Sequence, residues 1–459
     1  MARNLLLLVA LAALSLCWEW GCGPMGGHGG ERAGFVVLAT GNWQGHLEPC
    51  GCADAQLGGV HLRSHVLGKV AGESRLLLDT GPLVEGGDRQ SELKLETFLL
   101  SLKRMGYDGI ALTSEEIVTM HDVLGVEAEG RPVVVATDVG ASVREEFGLA
   151  GHLEKTLESG GRRLGCLVLG VSGRGAMERE DLRERLALAD PVEAVEAALA
   201  ELGQAADESS EGRLVVVLMT GVDEEITSAV AGVKAVDVVL RPGISDEPIL
   251  ERPVAGGAAV VTTGELGKYV ARLELGKSGA GEVEAFKTIA IRDDFPADRA
   301  VVAVLDQYQL RLEAEQLVET LPRLPLAEGA GFVGNKACKS CHGGIYEGWQ
   351  GFGHAHAMAT LIKVGRDKDP ECVACHTVGM RYEGGYRSME ATPELADVGC
   401  EMCHGPAKGH VADREVRYEE VFTSCEDCHN SEHSPAFAGQ REAYFERIRH
   451  WEGERRYWH

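Results

Sequence analysis

Four copies of Cys-x-x-Cys-His lie in the last quarter of this 459-residue chain: Cys338-Lys-Ser-Cys341-His342, Cys372-Val-Ala-Cys375-His376, Cys400-Glu-Met-Cys403-His404 and Cys425-Glu-Asp-Cys428-His429. With thirteen cysteines and sixteen histidines in the chain, chance supplies only about 0.01 such matches. The spacing has a chemical reason. Two thiols three residues apart can reach the two vinyl groups of one haem, and the next histidine then faces the iron as its proximal ligand. Zinc is the competing reading, since paired Cys-x-x-Cys units also build structural zinc sites. Four ligands complete a zinc ion, so two pairs per ion would leave the identically placed histidine surplus four times. The motifs therefore predict four covalently bound haem c groups, with His342, His376, His404 and His429 as proximal ligands. Successive motifs start 34, 28 and 25 residues apart. Those gaps hold one short helix or loop each, so the haems must pack closely enough to exchange electrons directly.

The rest of the cysteine inventory and the N-terminus point to the same compartment. Eight cysteines belong to the motifs, leaving Cys17, Cys22, Cys50, Cys52 and Cys166. Met-Ala-Arg-Asn precedes the apolar stretch Leu5 to Leu16, the pattern of a secretory leader over residues 1–22 and too short to span a bilayer as a lone helix. The mature chain is then expected in the periplasm or elsewhere outside the cytoplasmic membrane, where c-type haems are attached. A lipid anchor on Cys17 or Cys22 and simple cleavage stand as alternatives, Gly21 being the small residue that lipidation at Cys22 wants. Cys166, inside an apolar strand, reads as core.

The chain is too long for one core, so two or more domains are expected. A net charge of −26 argues against nucleic acid and anionic lipid as partners, which both need a basic face. Solubility is the plain reading of such a charge, and steering toward a basic redox partner protein is the sharper alternative. Oligomeric state is not written in the sequence.

Short apolar runs read as buried strands: 35–40, 76–79, 133–137, 164–171, 214–219, 236–240, 260–263 and 269–275. Helical patterns lie between several of them. The clearest has Asp190 as N-cap, Pro191 at the first helical position and Glu193 completing a capping box, and runs to Leu202. Such alternation predicts an α/β domain with a largely buried sheet over residues 34–292. An amphipathic helix from Ala297 to about Val318 and a Pro/Gly-rich stretch, Leu321–Gly334, form a connector over 293–334. Gly329-Ala-Gly331-Phe-Val-Gly334 matches a dinucleotide fingerprint by letter only, having no strand before it. Residues 335–459 have few apolar runs, because porphyrins would supply the core.

Three stretches beyond the motifs carry a resemblance. They are Trp349-Gln-Gly-Phe-Gly-His354-Ala-His356-Ala-Met-Ala-Thr-Leu361, Gly399-Cys-Glu401-Met-Cys-His-Gly405-Pro406-Ala-Lys-Gly-His410 and Tyr444-Phe-Glu-Arg-Ile448-Arg-His450. With the motifs, they make the C-terminal segment similar to the tetrahaem cytochrome c-554 type of multihaem cytochrome. The resemblance implies His354, His410 and His450 as distal ligands, with His356 as substitute for His354. His433 and His459 rank below them. Three six-coordinate haems and one open or weakly ligated iron follow.

The segment 34–292 resembles the 5′-nucleotidase or calcineurin-like metallophosphoesterases. Leu78-Asp-Thr-Gly-Pro82 stands where that family has a Gly-Asp ligand, Gly106-Tyr-Asp-Gly-Ile-Ala-Leu-Thr-Ser114-Glu115-Glu116 where it has Gly-Asn-His-Glu, and Gly264–Leu275 at its late hairpin. A two-metal hydrolase needs carboxylates, imidazoles and an amide around its ions. Here the first Asp-x-His is Asn42-Trp43-Gln44, the second Asp is Pro82, Asn-His is Ser114-Glu115, and the later histidine positions fall at Gly221 and Arg241–Ser245. The expected fold is thus a metallophosphoesterase-like α/β sandwich without the hydrolytic chemistry, followed by a mainly helical, haem-cored multihaem cytochrome c domain.

One reactive pattern remains in the α/β part: His46-Leu-Glu48-Pro-Cys50-Gly-Cys52. The Cys50/Cys52 pair suits a redox thiol couple, a soft-metal site or a structural disulfide. Electron transfer is the leading functional expectation. The alternative is a redox enzyme acting on a small substrate at an open haem or at this thiol pair.

Overall fold

The structure is a computed structural model that describes residues 34–49, 56–202, 212–252, 257–276, 282–416, 422–430 and 433–450. Cys50, Cys52, the leader with Cys17 and Cys22, and His459 lie outside the described residues.

The α/β part contains two six-stranded sheets. The first joins β1 (Val36–Thr40), β2 (Arg75–Asp79), β3 (Gly109–Ile110), β4 (Val133–Val134), β11 (Tyr269–Leu275) and β12 (Val283–Ala290) in the order β12-β11-β1-β2-β3-β4. The second joins β5 (Leu153–Ser159), β6 (Arg162–Val171), β7 (Arg213–Met219), β8 (Val238–Arg241), β9 (Leu250–Glu251) and β10 (Ala259–Thr262) in the order β5-β6-β7-β8-β10-β9. In the first sheet β1 to β4 run parallel, and β11 and β12 add an antiparallel margin on one side only. The second sheet is parallel at its centre and antiparallel at both margins.

The strand sequences are apolar at consecutive positions because both faces of each sheet are covered. Even and odd residues go to different cores. Val37, Ala39, Leu76, Leu78 and Leu273 of the first sheet meet Cys166, Val168, Val216, Val238 and Leu240 of the second in one inter-sheet core. Gly170 allows the close approach: a Cβ there would lie 2.1 Å from the carbonyl oxygen of Val135. The alternate residues Val36, Leu38 and Leu77 pack on α1 (Arg89–Arg104), while Leu167, Leu169, Val215 and Val217 pack on α2 (Pro191–Leu202) and α3 (Glu224–Ala231). The result is a four-layer α/β/β/α sandwich. Cys166 is 3 % exposed within it, and burial pushes its thiol up to about 12, so it is inert.

All eight strands expected from apolar runs are present, with ends shifted by at most three residues. Asp190 accepts from the backbone N–H groups of Val192 and Glu193 and starts α2. The connector helix differs from expectation. It runs as α4 (Arg299–Ala314) and breaks at Gln316, whose φ of 51° is left-handed, before α5 (Leu317–Thr320). The break sends two neighbours to different cores: Leu317 to that of the first sheet and Val318 to that of the haem segment.

The haem segment is built of short helices, among them α6 (Ala357–Val364), α7 (Pro370–His376), α8 (Cys400–His404) and α9 (Arg441–Arg447). Its own apolar cluster is small, centred on Met358, Leu361, Val373, Val378 and Tyr386. Arg323 staples the connector to it, donating to the carbonyls of Val318, Met380 and Tyr386. None of the described helices is long and apolar enough to cross a membrane.

Candidate haem centres

Motifs two, three and four begin at or near a helix start, so their two sulfurs and imidazole project from one turn. The first begins in the last turn of the short helix Asn335–Lys339 and continues past its end. The second is the most tightly specified. Asp369 caps α7 by accepting from Glu371 N–H, and Pro370 occupies the first helical position, the preferred arrangement for a helix start. None of the nine described cysteines is in a disulfide, which leaves their sulfurs for thioether bonds. Motifs one and three adjoin, Cys338 and Cys400 lying within hydrogen-bonding reach of each other. Motifs two and four adjoin in the same way through Cys375 and Cys428.

Three pairs of imidazoles face one another across gaps. Ring centres are 6.3 Å apart for His342 and His410, 6.1 Å for His354 and His429, and 6.5 Å for His404 and His450. One iron between two imidazoles requires two bonds of about 2 Å plus about 1.1 Å from each nitrogen to its ring centre, roughly 6.2 Å in all. The residues fit the group. Backbone carbonyls also fix which nitrogen is offered: His410 Nδ1 lies 2.8 Å from Val416 O, His450 Nδ1 2.8 Å from Ile448 O, and His376 Nδ1 2.8 Å from Ala357 O. Nδ1 tied in this way leaves Nε2 for a metal. Burial, with His429 and His376 nearby, lowers the His354 pKa; burial, with His450 and His342 nearby, lowers that of His404. Both changes favour the neutral, ligating imidazole. His356 places Nε2 3.1 Å from Gln350 O, whereas His354 faces His429 at 6.1 Å, which makes His354 the better placed of the two. Cys341, His342, Gly344, Ile345 and His450 line one open cleft.

Sequence reasoning gave no structural role to two residues that hold this cluster together. Glu401, between the cysteines of the third motif, is fully buried and accepts from the N–H groups of Val333, Gly334 and Ala407. Asn335 accepts from Cys400 N–H at 2.8 Å. A Cβ on Gly399 would sit 2.2 Å from the Asn335 Oδ1, so glycine is required there. The connector's end is thereby fastened to the third motif. A buried carboxylate aimed at backbone donors has no sequence signature of its own.

In the α/β part, the positions that resemble metal ligands are otherwise engaged. Asp79 is fully buried and accepts from Thr40 Oγ1, Trp43 Nε1 and Gly81 N–H. Burial raises its pKa against those three donors and the nearby Arg63 guanidinium. Trp43 is itself 0 % exposed, with Arg63 stacked 3.9 Å from its ring centre. Asn42 donates to Gly243 O, and Gln44 donates to Asn42 Oδ1. Glu116 is turned inward to the N–H groups of Leu83, Val84 and Thr113, whereas Glu115 pairs with Arg179 at the surface.

The sequence model of the family described as cytochrome c554 and c-prime matches residues 337–405. The C-terminal part of the chain is a cytochrome c554-type domain. Cytochrome c-554 of Nitrosomonas europaea is 36% identical over 103 residues, 19% of this chain and 44% of that protein. The chain thus spans less than half the length of that relative. Two solved structures align more widely at low identity. The 5′-nucleotidase precursor from Thermus thermophilus is 20% identical over 72% of this chain and 68% of its own, with a TM-score of 0.47. The NAD nucleotidase of Haemophilus influenzae is 10% identical over 66% and 64%, with a TM-score of 0.48. The four-layer α/β architecture rests on its own strand order and packing.

Proposed function

We propose that the protein is an extracytoplasmic c-type cytochrome with four haems that exchanges electrons with a basic redox partner protein, and that its α/β part is non-hydrolytic. The three facing imidazole pairs carry this reading. When bound, haem supplies a one-electron ferric/ferrous couple; the chain supplies the axial nitrogens and the close spacing of motifs one with three and two with four. With His354, His410 and His450 spent on three irons, the fourth, on His376, is the candidate for the open or weakly ligated position. The leader-like N-terminus supports secretion, with lipidation at Cys17 or Cys22 as its membrane-attached form. Strong negative charge disfavours nucleic acid as a partner.

The non-hydrolytic reading follows from Trp43 and Arg63 filling the space beside Asp79. The intact protein should show no turnover of a phosphodiester or nucleoside monophosphate with added manganese, zinc or calcium. Metal-dependent turnover that is abolished by substituting Glu115 or Glu116 would overturn this.

A second reading has one observation in its favour. Glu48, two residues before Cys50, is ion-paired with Arg366, six residues before Cys372. The Cys50/Cys52 pair therefore follows a point of contact with the haem segment, and a dithiol exchanging electrons with a haem would act as a redox centre. A thiol titration of the intact protein at controlled potential should then show reactivity changing across the range in which the haems titrate. Thiols inert throughout that range leave the carrier function alone.

A further inference from the structure

Three polar side-chain contacts between the α/β part and the haem segment end on six consecutive residues, 366–371, immediately ahead of Cys372. Arg366 pairs with Glu48. Gln90 Nε2, from α1, donates to Asp369 Oδ1 at 2.8 Å and to the Tyr308 hydroxyl of α4 at 3.0 Å. Lys94, one turn further along α1 and nearly buried, pairs with Glu371 at 2.5 Å. From the connector, Gln309 Nε2 approaches Asp369 Oδ2 at 3.3 Å. Asp369 is 7 % exposed and caps the helix that carries Cys372, Cys375 and His376. A capping carboxylate held from outside its own helix fixes where that helix begins and how it is rotated.

We propose that the α/β part is the seat of the second haem: Gln90 and Lys94 position α7 through Asp369 and Glu371, and so set that haem's redox potential separately from the other three. The inference rests on the reading of Cys372, Cys375 and His376 as a haem site. Its physical basis is that a haem's potential responds to nearby charge and to the fixing of its ligands. A ferric haem carries one more positive charge than a ferrous one. The Lys94 ammonium beside Glu371 makes the pair neutral; without it, the carboxylate stabilises the ferric form. Gln90 and Lys94 are positioning residues and touch no reacting atom.

The test is an EPR-monitored redox titration of the intact protein and its Lys94→Met, Gln90→Leu and Lys94→Arg variants. In Lys94→Met, one of the four steps should fall, its ferrous-to-ferric ratio at fixed potential dropping about threefold, near 28 mV at about 59 mV per tenfold for one electron. Gln90→Leu should lower the same step, and Lys94→Arg should restore it. A shift of all four steps together, or of none in variants with full haem content, overturns the proposal. Should Lys94→Met fail to accumulate, Gln309→Leu removes the longest contact to Asp369 and is read in the same way. Fewer than four haems per chain in the unmodified protein, counted as the pyridine haemochrome, would instead overturn the haem reading itself, so the two failures are distinguishable.

Discussion

Denatured and assayed as the pyridine haemochrome, the intact protein should yield four haems per chain. Replacing both cysteines of any one motif by serine should remove one haem, leaving three, or stop maturation altogether. The expectation follows from thioether chemistry: each porphyrin is tied at two points, and the nine described cysteines have formed no competing disulfides. Partial results are informative. Cys338→Ser with Cys341→Ser should disturb the spectrum of the third haem as well, because Cys338 adjoins Cys400. A count of zero or two, accompanied by bound zinc, would sink the central reading, since paired Cys-x-x-Cys units are what a structural zinc site would use.

Nearly as large is the effect expected from single distal-ligand changes. His410→Ala, His354→Ala and His450→Ala should each convert one low-spin haem to high-spin, on His342, His429 and His404 respectively. Three low-spin signals in low-temperature EPR of the unmodified protein would become two in each variant. His356→Ala should leave all three, because His354 is the ring that faces His429. If His450→Ala changes no low-spin signal, that pairing is wrong.

Much of this was written locally in the sequence. Cys-x-x-Cys-His is a contiguous signal, so the attachment residues could be read without any fold. Strands covered on both faces announce themselves as apolar runs, which is why seven interior strands were legible; β4, at an edge, was legible because its two residues open the longer apolar run 133–137. Four others were not. β5 and β12 lie at sheet margins where every second residue faces solvent, and charged residues such as Glu154, Lys155, Glu158 and Lys287 break the run. β3 and β9 are two residues long. The break at Gln316 had no glycine or proline to mark it, because packing of Leu317 and Val318 into separate cores imposed it. Asp369-Pro370 is a readable helix start. Its grip by Gln90 and Lys94 depends on tertiary contacts, and no local pattern encodes those.

The contacts at Asp369, Glu371 and Arg366 also dictate an order of assembly. They join residues separated by 279, 277 and 318 positions, a closure costing roughly 5 kcal/mol in chain entropy before any contact is made. Such contacts are expected to form after the local turns, so that α7 exists before the α/β part grips it. Cys372 and Cys375 remain partly exposed even with the seam closed. Variants that weaken the grip, such as Gln90→Leu, should then keep haem attachment at the second motif while loosening the seam.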